Sequence, residues 1–194
     1  MGIRNIVTNE DPILRKKSRV VTEINERIKI LAEDLVETMR EADGLGLAAP
    51  QVGVLRRVAV VQVGEELHVM INPEVKESEG EQLSDEGCLS VPGLAGRVYR
   101  PLKVRVSYTR PDGSVAEVES EGLEAVAFCH EIDHLDGILF TDKAEEIKSV
   151  HSEDSDEDSD KSSGEDADEA GDKSVGEEDK LSDGVSEEGE RREL

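Results

Sequence analysis

The chain has 194 residues, with 23 Lys+Arg against 47 Asp+Glu, a formal net charge of −24 and only 2% aromatic residues. That length suits one folded unit with a tail, and no stretch approaches the roughly 20 apolar residues that a membrane-spanning helix needs. The charge argues against duplex DNA, RNA backbone or anionic lipid as a direct partner, while leaving room for a local basic patch.

The opening residues, MGIRNIVTNEDPILRKKSR, lack the continuous apolar run of a secretory signal, and Ile6 breaks the myristoylation pattern. Two cysteines, Cys88 and Cys129, do not make a disulfide framework. The expected compartment is the reducing cytoplasm, where an isolated thiol serves more often as a ligand or nucleophile. Ile24, Ile28, Leu31, Leu35, Val36 and Met39 recur at helical spacing. They predict a helix over 24–39, capped by Thr22 or Asn25 and ending near Asp43-Gly44. The next segment, GLGLAAPQVG over 44–53, is rich in small residues and has little periodicity. Residues 58–63 and 67–71 read as strands joined by a tight turn at Gly64-Glu65, the second stopped by Asn72-Pro73. Val104, Val106 and Tyr108 alternate with polar residues, and Val115 and Val118 do so less cleanly. Pro111-Asp112-Gly113 between them is turn chemistry, so this is a hairpin with one solvated face. Residues 123–136 are helical by period, ending at Gly137 as a C-terminal glycine cap. Short antiparallel strands with segregated helices predict an α+β fold. From 151 to 194 the chain carries 19 acids against 5 bases and no aromatic residue. Such a segment cannot offset its ordering entropy, which predicts a folded domain over 1–150 and a disordered acidic tail over 151–194.

The strongest chemical signal is His130-Glu131-Ile132-Asp133-His134. Residues i and i+4 share one helix face, so two imidazoles can grip one divalent ion while Glu131 handles protons beside it. Leu123, Val126, Ala127, His130 and His134 form one stripe, which predicts that the histidines point where the core points. Of the other histidines, His68 alternates within a strand as a surface or cross-strand residue, and His151 begins the acidic tail. A catalytic ion needs a third protein ligand and an open position. Cys88, in Glu86-Gly87-Cys88-Leu89-Ser90, is the candidate; the plainer alternative is a small buried hydrophobe. Cys129 adjoins His130 and points about 100° away from the metal face, which makes it a packing residue. A Cys-His-His site with one open position would activate water and polarise a carbonyl. Gln51 follows small residues that permit close approach, and its amide can donate to a developing oxyanion without titrating; the alternative is a loop surface residue.

Three segments occur in order: Gly44-Leu45-Gly46-Leu47-Ala48-Ala49-Pro50-Gln51, Glu86-Gly87-Cys88-Leu89-Ser90 and His130-Glu131-Ile132-Asp133-His134. Together they closely resemble peptide deformylase, the family that removes the formyl group from the initiator methionine of new bacterial proteins. The resemblance implies that Cys88, His130 and His134 bind the metal, natively Fe²⁺ and replaceable by Zn²⁺, Ni²⁺ or Co²⁺. It implies that Glu131 is the general acid/base, taking a proton from the attacking water and passing it to the leaving amine. The Gln51 side chain and the Leu89 backbone N–H would stabilise the oxyanion. Gly46 would present backbone to the substrate, and Leu45, Leu123, Val126 and Ala127 would line the methionine pocket. The implied fold is α+β, with antiparallel sheets packed around the helix that carries the two histidines. The implied partners are nascent N-formylmethionyl peptides and, transiently, the ribosome.

The C-terminus departs from the family, whose bacterial members often end in a basic or amphipathic helix. The acidic stretch after Lys148 would be repelled by ribosomal RNA, so ribosome association is not expected to run through the tail. Asp154, Asp156, Asp158 and Glu165 match calcium-loop spacing, but Ser159 stands where the loop needs Gly, so the tail reads as a solvating segment with serines open to phosphorylation. Two competing readings are another HExxH metallopeptidase or amidase, and a structural zinc site. The first lacks a downstream third ligand other than His151 or the tail acids. The second would need Cys129 as its fourth ligand, from the wrong face.

Overall fold

The structure is a computed structural model and describes residues 2–8 and 10–150. The chain divides into two units, Met1–Asp154 and Ser155–Leu194. The expectations for 151–194, namely a disordered, solvating tail with serines open to phosphorylation, and for His151, lie outside the described residues.

Helix α1 (Glu26–Glu41) starts where Asn25 accepts a hydrogen bond from the Ile28 N–H, at 3.3 Å. A side-chain oxygen at this position satisfies a donor that the first helical turn leaves open. Its stripe of Ile28, Leu31, Leu35 and Met39 is buried, each fully buried Leu or Met contributing about 1.5–3 kcal/mol. There follow β1 (Gly46–Ala48), a 3₁₀ turn (Ala49–Val52), β2 (Val58–Val63), β3 (Glu66–Glu79), β4 (Gln82–Cys88), β5 (Val91–Arg100), β6 (Lys103–Thr109), β7 (Val115–Glu121), α2 (Leu123–Leu135) and β8 (Glu146–Ser149). Two antiparallel sheets result, ordered β1-β2-β3-β6-β7 and β4-β5-β8. The fold is α+β, as expected.

The five-stranded sheet is a partition between the helices. Val58 and Val60 of β2 join the core beneath α1, whereas Ala59 and Val61 join the core beneath α2. Both faces are covered, which explains the unbroken apolar run of β2. A third, smaller core gathers Leu14, Val91, Val98, Leu139 and Phe140.

Two features differ from expectation. First, β3 does not stop at Asn72-Pro73 but runs on to Glu79, with a register shift between Ile71 and Glu74. Asn72 adopts φ 53, and its side-chain amide replaces the lost ladder: Oδ1 accepts from the Val21 N–H and Nδ2 donates to the Val21 carbonyl, both at 2.8 Å. Asn tolerates the left-handed region and mimics a peptide group, so the strand survives the bulge. Second, the stripe of α2 that faces the sheet is Ala125, Phe128, Ile132 and Leu135. The stripe of Leu123, Val126, Ala127 and His130 instead lines a cleft.

Candidate metal centre

Helix α2 holds His130 and His134 one turn apart, with their Nε2 atoms 3.2 Å from each other. Cys88 arrives from the end of β4, where a register shift between Gly87 and Cys88 re-aims its side chain. Its Sγ lies 3.2 Å from His134 Nε2. The three ligand atoms fall within 4.8 Å of one another, the one such His/Cys/carboxylate group among the described residues. A sulfur and two imidazole nitrogens suit Fe²⁺, Zn²⁺, Ni²⁺ or Co²⁺ and not the oxygen-seeking Mg²⁺ or Ca²⁺.

The surrounding groups favour one positive charge at this point. His130 Nδ1 lies 2.8 Å from Glu86 Oε2, which leaves Nε2 as the ligating nitrogen. Burial opposes a charge on His130, but the Cys88 sulfur and Glu86 outweigh it and push its pKa up to about 10. Burial and the charge on His130 hold His134 well below its usual value. Three donors that among them attract a single cation fit a metal ion.

Behind His130 runs a buried chain of charges. Arg100 grips Glu86 in bidentate fashion, at 2.6 and 2.9 Å, and reaches Asp133 at 2.6 Å; Lys143 meets Asp133 from outside, at 2.6 Å. Burial alone would raise the Glu86 carboxyl, but Arg100 and His130 bring it below its ordinary value. Glu86 and Asp133 in turn hold Arg100 above its ordinary value against the cost of burial. Sequence reasoning missed Glu86, Arg100, Asp133 and Lys143 as supporting residues. The available signal was parity: Val98 and Arg100 share the inward face of β5, and a buried arginine requires buried carboxylates.

Glu131 is buried, and its Oε2 has no hydrogen-bond partner. Burial raises its pKa to about 7; Glu86 adds to the rise, while His130 and Arg100 oppose it. A carboxyl tuned to this range is suited to take and return a proton. Gln51 is buried in the 3₁₀ turn after β1, which rules out the loop-surface alternative. Its Oε1 accepts from the Ala48 N–H at 2.7 Å, so the amide NH₂ is directed at Cys88 Sγ, 3.6 Å away. Leu89 sits in the turn directly after Cys88. One cleft of about 380 Å³ is lined by Leu45, Gly46, Gln51, Cys88, Leu89, Leu123, Val126, Ala127, His130 and Glu131. His134 is buried, its Nε2 3.2 Å from both Cys88 Sγ and His130 Nε2. A larger groove, about 670 Å³, crosses the charged residues of β3, β6 and β7 and holds none of these groups.

The remaining candidates fall elsewhere. Cys129 is buried in the core against the sheet, and burial pushes its thiol up to about 11, so it stays a neutral packing residue. His68 pairs across from Val61 and is buried, not on the surface.

Residues 3–150 match the family model described as polypeptide deformylase. The chain is similar to a peptide deformylase of Acetivibrio thermocellus, 58% identical over 136 residues, covering 70% of this chain and 80% of the relative. A crystal structure of peptide deformylase from Thermotoga maritima superposes with TM-score 0.72 at 39% identity, covering 74% of this chain and 99% of that one. A Met-Ala-Ser-bound peptide deformylase of Acinetobacter baumannii does so with TM-score 0.69 at 32% identity, covering 73% and 98%.

Proposed function

The chain belongs to the polypeptide deformylase family, enzymes that remove the formyl group from N-formylmethionyl peptides, and from that premise we propose which of its residues do the work. The observation that carries the assignment is the Cys88, His130 and His134 cluster, of which Cys88 and His130 line one cleft with Glu131 and Gln51. Cys88, His130 and His134 would hold the metal, which we take to be Fe²⁺ with Zn²⁺, Ni²⁺ and Co²⁺ as substitutes. Once bound, the ion supplies Lewis acidity for carbonyl attack by water.

Glu131 takes the proton of the attacking water and returns it to the methionine amine as the amide bond breaks. Its burial keeps solvent from competing for that proton. Gln51, its oxygen already engaged by Ala48, offers its N–H to the developing oxyanion, and the Leu89 backbone N–H offers the second donor. β1 is an edge strand of its sheet, so Gly46 can pair with the extended backbone of a peptide. Leu45, Leu123, Val126 and Ala127 provide the apolar wall for the unbranched methionine side chain. The formyl group is the smallest acyl group, and a cleft closed by Gln51, Cys88 and Glu131 admits it over a bulkier one.

We assign catalysis to residues 1–150 and the bacterial cytoplasm as its place; no helix among the described residues is long and apolar enough to cross a membrane. Any transient ribosome contact would be made by residues 1–150, because 151–194 carry 19 acids against 5 bases. The alternative of another HExxH metallopeptidase is not favoured, since the family match spans residues 3–150.

The test is formate release by anaerobically purified protein from formyl-Met-Ala-Ser, with acetyl-Met-Ala-Ser and Glu131→Ala as controls. Formate from the formyl peptide alone, falling by about 10²-fold or more in the variant, is the expected result. An iron-loaded, folded sample that releases none would overturn the reading.

A further inference from the structure

One buried polar cluster has no part in the mechanism above. His68, 2% exposed in β3, lies between three elements. Its Nδ1 is 3.1 Å from the Tyr108 hydroxyl of β6, and its Nε2 is 3.2 Å from Glu124 Oε1 in the first turn of α2. The Phe128 ring packs against the imidazole with centroids 5.1 Å apart. Glu66, largely exposed, stands at 3.8 Å from the same Nε2. An ionised carboxylate only accepts hydrogen bonds, so Nε2 carries the hydrogen given to Glu124, and Nδ1 pairs with the Tyr108 hydroxyl.

The place of this cluster matters because of how α2 begins. Gly122 stands at its N-cap with φ 63 and offers no side chain to the first turn. The backbone of Gly122 is held on the other side, its N–H donating to the Leu102 carbonyl and its own carbonyl accepting from Gln82 Nε2, both at 3.0 Å. Within the first turn, Leu123-Glu124-Ala125-Val126, only Glu124 has a side chain able to form a hydrogen bond. That turn carries Leu123 and Val126, with Ala127 directly after, and all three line the cleft. Two turns further on, His130 and His134 are anchored separately, through Glu86 and Cys88.

We propose that His68, acting through Glu124, is a positioning residue for this chain's substrate pocket: it fixes the first turn of α2 against β3 and so sets where the Leu123–Val126–Ala127 wall stands. The inference rests on the deformylase reading for the identity of the substrate. Since the metal ligands have their own anchors, loosening this turn acts on peptide binding and leaves the chemical step in place.

The experiment is steady-state kinetics on formyl-Met-Ala-Ser with wild type, His68→Leu, Glu124→Leu, the double variant and Glu124→Gln. Metal content and melting temperature are measured on each. Glu124 is only partly buried, so its variants keep the test open if His68→Leu fails to fold. The expected result is a rise in KM of about 3- to 10-fold for each Leu variant, the size of one hydrogen bond's net contribution. The turnover number stays within about 2-fold, and metal content does not change. The double variant should be no worse than either single one, and Glu124→Gln, which retains an acceptor, should recover most of the wild-type KM. Unchanged KM in Glu124→Leu, or a joint fall of turnover, metal content and melting temperature, would overturn the proposal. Calorimetric affinity for Met-Ala-Ser reads the same wall without turnover. A wild type that bound this tripeptide more tightly than Glu124→Leu yet released no formate would therefore overturn the deformylase reading while supporting the positioning role.

Discussion

The carboxylate of Glu131 occupies the space that a side chain on Gly46 would need. A Cβ at Gly46 would lie 2.7 Å from Glu131 Cγ and 2.8 Å from Cδ, distances no packed pair of carbons tolerates. Gly46 is in extended strand conformation, so its role is clearance and not backbone freedom. Gly46→Ala should push the carboxylate off its position over the metal ligands. A displacement on the order of 1 Å at the reacting groups costs about 10²-fold. The expected outcome is a fall of that size in kcat/KM on formyl-Met-Ala-Ser with metal content unchanged, measured by formate release and metal analysis. Wild-type kinetics in a metal-loaded Gly46→Ala variant would show that Glu131 has room the structure does not give it.

Arg100 holds two carboxylates, Glu86 and Asp133, in a nearly solvent-free position. Removing it leaves Glu86 with His130 alone and Asp133 with Lys143 alone, and breaking such a buried pair costs about 3–5 kcal/mol. The loss passes to the metal, because Glu86 also fixes the His130 ring. Arg100→Met should therefore lower the melting temperature and weaken metal retention by about 10- to 100-fold, read by competition with a chelator. Glu86→Gln, which keeps an acceptor for the guanidinium and for His130, should weaken metal retention with a smaller loss of stability. If Arg100→Met retains metal as the wild type does, the buried charges are structural only.

Helices and site were legible in the sequence to different degrees, for physical reasons. The stripe of Ile28, Leu31, Leu35 and Met39 marked α1 because one face alone is buried, and Asn25 marked its start. The pair at His130 and His134 marked the candidate metal ligands because helical period maps directly onto one face. β4 and β5 were not legible. The residues they turn inward include Glu86 and Arg100, so a charged pair stands where the alternation rule looks for apolar side chains. β1, three residues long, is too short to show a period. Asn72-Pro73 misled because the chain bridges the break with the Asn72 side chain, a contact to Val21 that lies 51 residues away in sequence.

Gln51 performs two tasks with one amide, and a substitution can remove both. Its oxygen satisfies the buried Ala48 N–H, and its NH₂, directed at Cys88 Sγ, faces the cleft. Gln51→Met keeps the length and volume but supplies neither group. Loss of one oxyanion donor lowers the turnover number by about 10²–10³-fold, with KM on formyl-Met-Ala-Ser little changed. The unsatisfied Ala48 N–H should cost about 1–3 kcal/mol, measured by denaturant unfolding. A variant that loses stability but keeps its turnover number would assign Gln51 to the scaffold alone.

Asp34 ties the N-terminal segment to α1. Its carboxylate accepts from the Gly2 N–H at 2.7 Å and from Arg4 Nε at 2.9 Å, in a residue that is itself buried. Burial raises its pKa, but the bonds from Gly2 and Arg4 outweigh burial and leave it below the ordinary value of 3.8. A carboxyl depressed by folding contributes stability that is fully present above its unfolded pKa and is lost as pH falls through the folded one. Asp34→Asn should therefore melt below the wild type at pH 6, and the gap between the two should close as the pH is lowered from about 4 toward 3. Thermal unfolding of both proteins across that range provides the measurement. A gap that is constant from pH 6 to pH 3 would mean that the bonds to Gly2 and Arg4 do not depend on the charge of Asp34.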